Sequence, residues 1–98
     1  MATFNVCDLV SVAQGGSFIW NNPYTQQVRV QPATGTTWPL PQSSYTINGN
    51  NGQQVITLPS TAGVGTYQIS VTYTGVLGGT PCTGVGANPR IVVGPPGR

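Results

Sequence analysis

Histidine, lysine and glutamate are absent from this chain of 98 residues. The side chains charged at neutral pH are Asp8, Arg29, Arg90 and Arg98, for a net charge of +2. Each absence removes a class of chemistry. Without histidine there is no Cys–His or Ser–His nucleophile. With one carboxylate side chain there is no pair of acids to share general acid and general base roles. Asp8 sits on a strand beside Cys7, where a bulge or edge residue, or a partner for one arginine, is the ordinary role. Two cysteines without histidine make no metal site. The glycine-rich stretch 75–86 lacks the lysine and the strand–loop–helix setting of a phosphate-binding loop. Three scattered arginines form no basic patch, so nucleic acid is not an expected partner. No apolar run approaches the length of a membrane span. The sequence therefore predicts a protein that is not an enzyme and carries no cofactor.

What is present is neutral polarity. Asn, Gln, Ser and Thr must supply the wet surface, and with so little charge the repulsion between copies is weak, which favours self-association. That composition predicts an extracellular, cell-surface or virion setting. Residues 1–5 have neither the basic start nor the apolar core of a secretory signal. The chain then reads as a mature form with an added Met, a piece of something longer, or a protein exported or assembled by another route. Val, Ile, Leu and Phe make up roughly a quarter of the residues, enough for one buried core. Cys7 and Cys82 either close a loop of about 76 residues, worth about 4–5 kcal/mol in the chain-entropy picture, or remain two buried thiols. The even count in a secreted-looking composition favours the disulfide.

Periodicity points to strands throughout. Tyr67, Ile69, Val71 and Tyr73 alternate with Gln68, Ser70, Thr72 and Thr74, the period of two expected of a strand with one dry face. Pro59, Gly63 and Gly65 mark a sharp corner before it. Upstream, residues 3–12 read as a strand whose alternation slips at Cys7 and Asp8, predicting a bulge or a change of sheet. Residues 17–21 place Phe18 and Trp20 inward, and the Asn-Asn-Pro-Tyr run of 21–24 ends that strand. Residues 25–31 place Val28 and Val30 on one face and Arg29 on the other. Residues 33–43 hold too many Gly and Pro for regular structure, leaving Trp38 either plugging one end of the core or exposed. Residues 44–47 and 53–58 read as a hairpin around the Asn-Gly-rich turn 48–52. A second long loop, 75–88, carries Cys82, and residues 90–93 form a last strand. The expectation is one all-β domain over 1–94, an antiparallel Greek-key sandwich of about seven strands, with a Pro/Gly tail or linker over 95–98.

Several of these segments resemble known sandwiches. Val12-Ala-Gln-Gly-Gly-Ser-Phe-Ile-Trp20-Asn-Asn22 is similar to the early strands of cupredoxins. Gly65-Thr-Tyr67-Gln-Ile-Ser-Val71 resembles their Gly-x-Tyr-x-x-x-Cys strand, and Asn88-Pro-Arg-Ile-Val-Val93 their closing strand. The Gly-Thr-Tyr corner equally resembles the tyrosine corner of immunoglobulin-like domains. Either resemblance implies a Greek-key sandwich. Neither brings copper: a blue-copper site takes two His and a Cys thiolate, and Val71 stands where the resemblance would place the cysteine.

Two functions fit these constraints. The first is a structural or assembly module acting through contacts with itself or with neighbouring protein domains. The second is a carbohydrate-binding module, with Tyr24, Trp38 and Tyr45 as loop aromatics among amide-bearing neighbours. Against the second stands the ordinary use of such aromatics as caps on the open ends of a sandwich.

Overall fold

The computed structural model describes residues 1–83 and 89–96. The last part of the expected 75–88 loop and the end of the 95–98 tail lie outside the described residues. Among the described residues there are eight strands: β1 (Ala2–Asn5), β2 (Leu9–Ala13), β3 (Ser17–Asn22), β4 (Val28–Pro32), β5 (Tyr45–Ile47), β6 (Gly52–Thr57), β7 (Gly65–Tyr73) and β8 (Arg90–Gly94). They form a three-stranded sheet ordered β1-β3-β6 and a five-stranded sheet ordered β2-β8-β7-β4-β5. The fold is all-β, two sheets closing on a shared apolar core.

The strand expected over 3–12 is two strands, which raises the count from seven to eight. Asp8 N–H donates to the Asn5 carbonyl at 3.0 Å, and Asn5 N–H donates to the Asp8 carboxylate at 3.2 Å. This reciprocal turn breaks the ladder and sends β1 and β2 to different sheets. The slip in alternation marked that change of sheet. It also corrects the expectation of purely antiparallel sheets. β1 runs parallel to β3 and β2 parallel to β8, so both sheets are mixed.

The hairpin expected from 44–47 and 53–58 is not formed. β5 pairs with β4 and β6 with β3, so the two strands stand in opposite sheets. The reason lies in the turn between them. Asn50 N–H donates to the Tyr24 carbonyl at 2.7 Å and Asn51 N–H to the Asn22 carbonyl at 2.8 Å. Asn50 and Asn51 adopt φ of 56° and 67°, a left-handed pair that Asn tolerates. A Cβ at Gly49 would collide with the Thr25 carbonyl. The loop is thus packed down on the 22–25 segment and hands the chain across the core, where a two-residue turn would have kept it in one sheet.

The core sits between the inward faces. Val10, Phe18, Trp20, Val28, Val30, Ile56, Leu58, Ile91 and Val93 are all buried. Val28 and Val30 alternate with exposed Arg29, and Ile69 and Val71 with half-buried Ser70, as the period of two requires. Pro32 closes β4 opposite Ile69. Tyr67 turns the corner into β7, and its hydroxyl donates to the Gly63 carbonyl at 2.8 Å.

Candidate interaction surface

Of the five residues singled out from sequence, three meet at one end of the sandwich. Cys7 and Cys82 are joined in a disulfide with Cα atoms 5.2 Å apart. The bond ties the β1–β2 turn to the loop that follows β7. Tyr24 lies against it, with its hydroxyl 3.7 Å from Cys7 Sγ, and packs edge-on to Tyr73 at 6.5 Å. Trp38 and Tyr45 belong to a different cluster. Their rings lie 5.8 Å apart, and each also contacts Trp20, at 6.3 Å and 6.2 Å. Phe18 adds an edge-on contact to Trp20 at 5.1 Å. Trp38 is the plug of the two alternatives: half-buried over Trp20, with its Nε1 donating to the Gln42 carbonyl at 3.0 Å. Tyr45 is buried. The three aromatics therefore do not form one platform.

The loop after β7 projects instead. Thr74 N–H donates to the Gln27 carbonyl at 3.1 Å, and Tyr73 N–H to the Gly79 carbonyl at 2.8 Å. Thr74 Oγ1 is bonded to Gln27 Oε1 at 2.9 Å, and Gln27 Nε2 donates to Asn48 Oδ1 at 2.8 Å. On this tied base, a turn closed by Gly78 N–H to the Gly75 carbonyl at 3.0 Å carries Val76 and Leu77 at its tip. Their relative exposures are 107% and 101%, so neither touches the rest of the fold.

Beside the base of this loop a shallow groove of about 430 Å³ runs along β7, lined by residues that include Ser70, Thr72, Thr80 and Pro89. Among the described residues that line it none has an ionisable side chain, and Ser70, Thr72 and Thr80 offer hydroxyl groups. Among the described residues no three His, Cys, Asp or Glu side chains gather as metal ligands. No helix among them is long and apolar enough to cross a membrane.

In comparisons with known proteins, the chain matches no family model, no curated protein and no solved structure. Its surface must be read from its own residues.

Two features escaped the sequence reading. Asn22 is fully buried and satisfied on every side: its Nδ2 donates to the carbonyls of Gln26 at 2.8 Å and Ile47 at 3.1 Å, and its Oδ1 accepts from Tyr24 N–H at 3.1 Å. In sequence it is one Asn of an Asn-Asn-Pro run and reads as turn chemistry. Val76 and Leu77 did carry a signal, an apolar pair fenced by Gly75 and by Gly78-Gly79. Glycines on both sides leave no strand to bury such a pair.

Proposed function

We propose that this chain is a non-catalytic assembly module, a cupredoxin-like or immunoglobulin-like sandwich that acts by contact with copies of itself. The Val76–Leu77 tip is the observation that carries the reading. Covering a Val or Leu side chain is worth about 1.5–3 kcal/mol, and the fold leaves this adjacent pair wholly in water. A tip held on hydrogen-bonded stems loses little freedom on docking, so more of that energy goes into association. Sparse charge supports the same reading, because two copies approach without like-charge repulsion. The disulfide is compatible with the oxidising environment of an extracellular, cell-surface or virion protein. Mixed sheets favour the cupredoxin resemblance, since immunoglobulin domains are built of antiparallel sheets. A carbohydrate site draws less support, because Trp38 and Tyr45 spend their faces on Trp20 and on each other.

Sedimentation velocity from micromolar to millimolar protein tests the proposal. The parent chain is expected to shift from monomer to larger species, and Val76→Ser/Leu77→Ser to associate less. A parent chain that stays monomeric throughout overturns the reading, as does a double variant that associates just as the parent does.

A further inference from the structure

Among the described residues, β6 pairs on one side only, and its outer edge has none of the usual protections of an edge strand. Sheets end at β1 and β6 on one side of the core and at β2 and β5 on the other. Of these, β5 has three residues, β1 four and β2 five, with Asp8 at the mouth of β2; β6 has six. Natural edges are kept from pairing with other chains by shortness, charge, proline or bulges. The β6 sequence Gly-Gln-Gln-Val-Ile-Thr has no charge and no proline, and its register with β3 runs unbroken from Gly52 to Thr57.

The ladder fixes which groups face outward. Leu58 N–H donates to the Gly16 carbonyl at 2.9 Å, so Leu58, Ile56 and Gln54 direct their backbone groups to β3. Alternation then turns the N–H and C=O of Gln53, Val55 and Thr57 away from β3. The side chain of Gln54 folds back to donate to the Val55 carbonyl at 3.2 Å, a bond open to replacement by a better-aligned main-chain donor. Gln53, Val55 and Thr57 also share the outer face of the sheet, and Val55 is 54% exposed there.

We propose that β6 pairs antiparallel with β6 of a second copy about a two-fold axis at Val55, a deepening that rests on the self-association reading above. The spacing is self-complementary, as a two-fold contact demands. Val55 lies opposite Val55 of the second copy, and Gln53 opposite its Thr57. Every residue so paired is one whose N–H and C=O already point outward, so each pair exchanges both main-chain bonds. The facing Val55 side chains cover each other, and no like charges meet. Beyond Thr57, Pro59 has no N–H to give and its carbonyl already accepts from the N–H groups of Gly15 and Ala62, which ends the pairing and sets its length. This is strand addition between identical edges.

The test is run in the Val76→Ser/Leu77→Ser background, so that the tip contributes nothing. There the chain is expected to stop at a dimer. Adding Val55→Lys sets two ammonium groups face to face and is expected to weaken dimerisation by about tenfold or more. Adding Gln53→Pro removes an outward N–H without touching the ladder to β3, and is expected to do the same. Amide exchange gives an independent reading: the N–H groups of Gln53, Val55 and Thr57 should be protected in the dimer and exchange rapidly in the Lys variant. If the parent associates but the tip variant is monomeric, the edge pairing is wrong and the assembly module stands. Dimers that persist unchanged in both β6 variants also overturn it. A strictly monomeric parent removes both proposals together.

Discussion

Asn22 on β3 donates to the Ile47 carbonyl on β5 at 3.1 Å, a direct hydrogen bond from one sheet of the sandwich to the other. The same amide holds Gln26 and Tyr24, so one side chain fixes the exit of β3, the entry to β4 and the end of β5. Truncation in Asn22→Ala would take the side-chain partner from the Ile47 carbonyl in a buried contact and from the Gln26 carbonyl and Tyr24 N–H in part-buried ones. Each orphaned group costs about 1–3 kcal/mol, so a loss of about 3 kcal/mol or more is expected in urea unfolding. A loss below about 1 kcal/mol would mean that water takes over the site at little cost.

Asn22→Asp adds a pH signature. A carboxylate facing the Gln26 and Ile47 carbonyls can only repel them, while the protonated acid can donate to one. Its native pKa is therefore expected above the unfolded value of about 3.9. The sign follows from proton counts. Between the two pKa values the folded chain holds more protons than the unfolded one, so stability falls as pH rises through that window. The variant should be nearest to the parent in acid and weakest at neutral pH. A difference between variant and parent that does not change with pH would refute this placement of the side chain.

The corner at Tyr67 allows a cycle of two substitutions. Tyr67→Phe removes the hydroxyl bonded to the Gly63 carbonyl and is expected to cost about 1 kcal/mol. Gly63→Ala would bring a Cβ within 2.7 Å of that hydroxyl, displacing it. Because both changes act on one contact, their costs should fall short of additive in the double variant. Fully additive costs, measured by chemical denaturation, would separate the glycine from the tyrosine.

These sites show what a sequence pattern carries and what it hides. The alternation over 67–74 reports burial directly, and the slip at Cys7 and Asp8 reports the sheet change because Val6 before it and Val10 after it are both buried. The turn 48–52 misleads because Asn-Gly chemistry specifies local backbone shape, while the partners of Asn50 and Asn51 are Tyr24 and Asn22, far earlier in the chain. Parallel pairing leaves no local trace for the same reason: Ala2 meets Phe18 and Leu9 meets Arg90 by long-range closure. Tyr24, Trp38 and Tyr45 look alike as loop aromatics, and only packing separates them into a disulfide cover and a core plug.

The disulfide can be tested without disturbing the sheets. Cys7 and Cys82 are 75 residues apart in sequence, and closing a loop of that length is worth about 4 kcal/mol in the chain-entropy account. Cys7→Ala/Cys82→Ala should therefore lower stability by about 2–5 kcal/mol. Reductant should lower the melting temperature of the parent and leave that of the variant unmoved. A parent insensitive to reductant under unfolding conditions would mean that the two thiols are not joined.

Tryptophan emission separates the plug from the core. Trp20 is fully buried, whereas Trp38 keeps part of its ring in water. In Trp38→Phe the remaining indole should emit at short wavelength and resist acrylamide. In Trp20→Phe the remaining indole should emit further to the red and be quenched readily. The same variants decide between plug and ligand platform. Trp38→Ala strips a ring from over Trp20 and is expected to cost about 2–3 kcal/mol, somewhat less than truncation of a fully buried aromatic. A ring kept for a ligand would be nearly free to remove from the unliganded fold, and its emission would move on titration with polysaccharide. Destabilisation with no glycan-dependent shift assigns Trp38 to packing; the opposite pair of results would restore it as a binding residue.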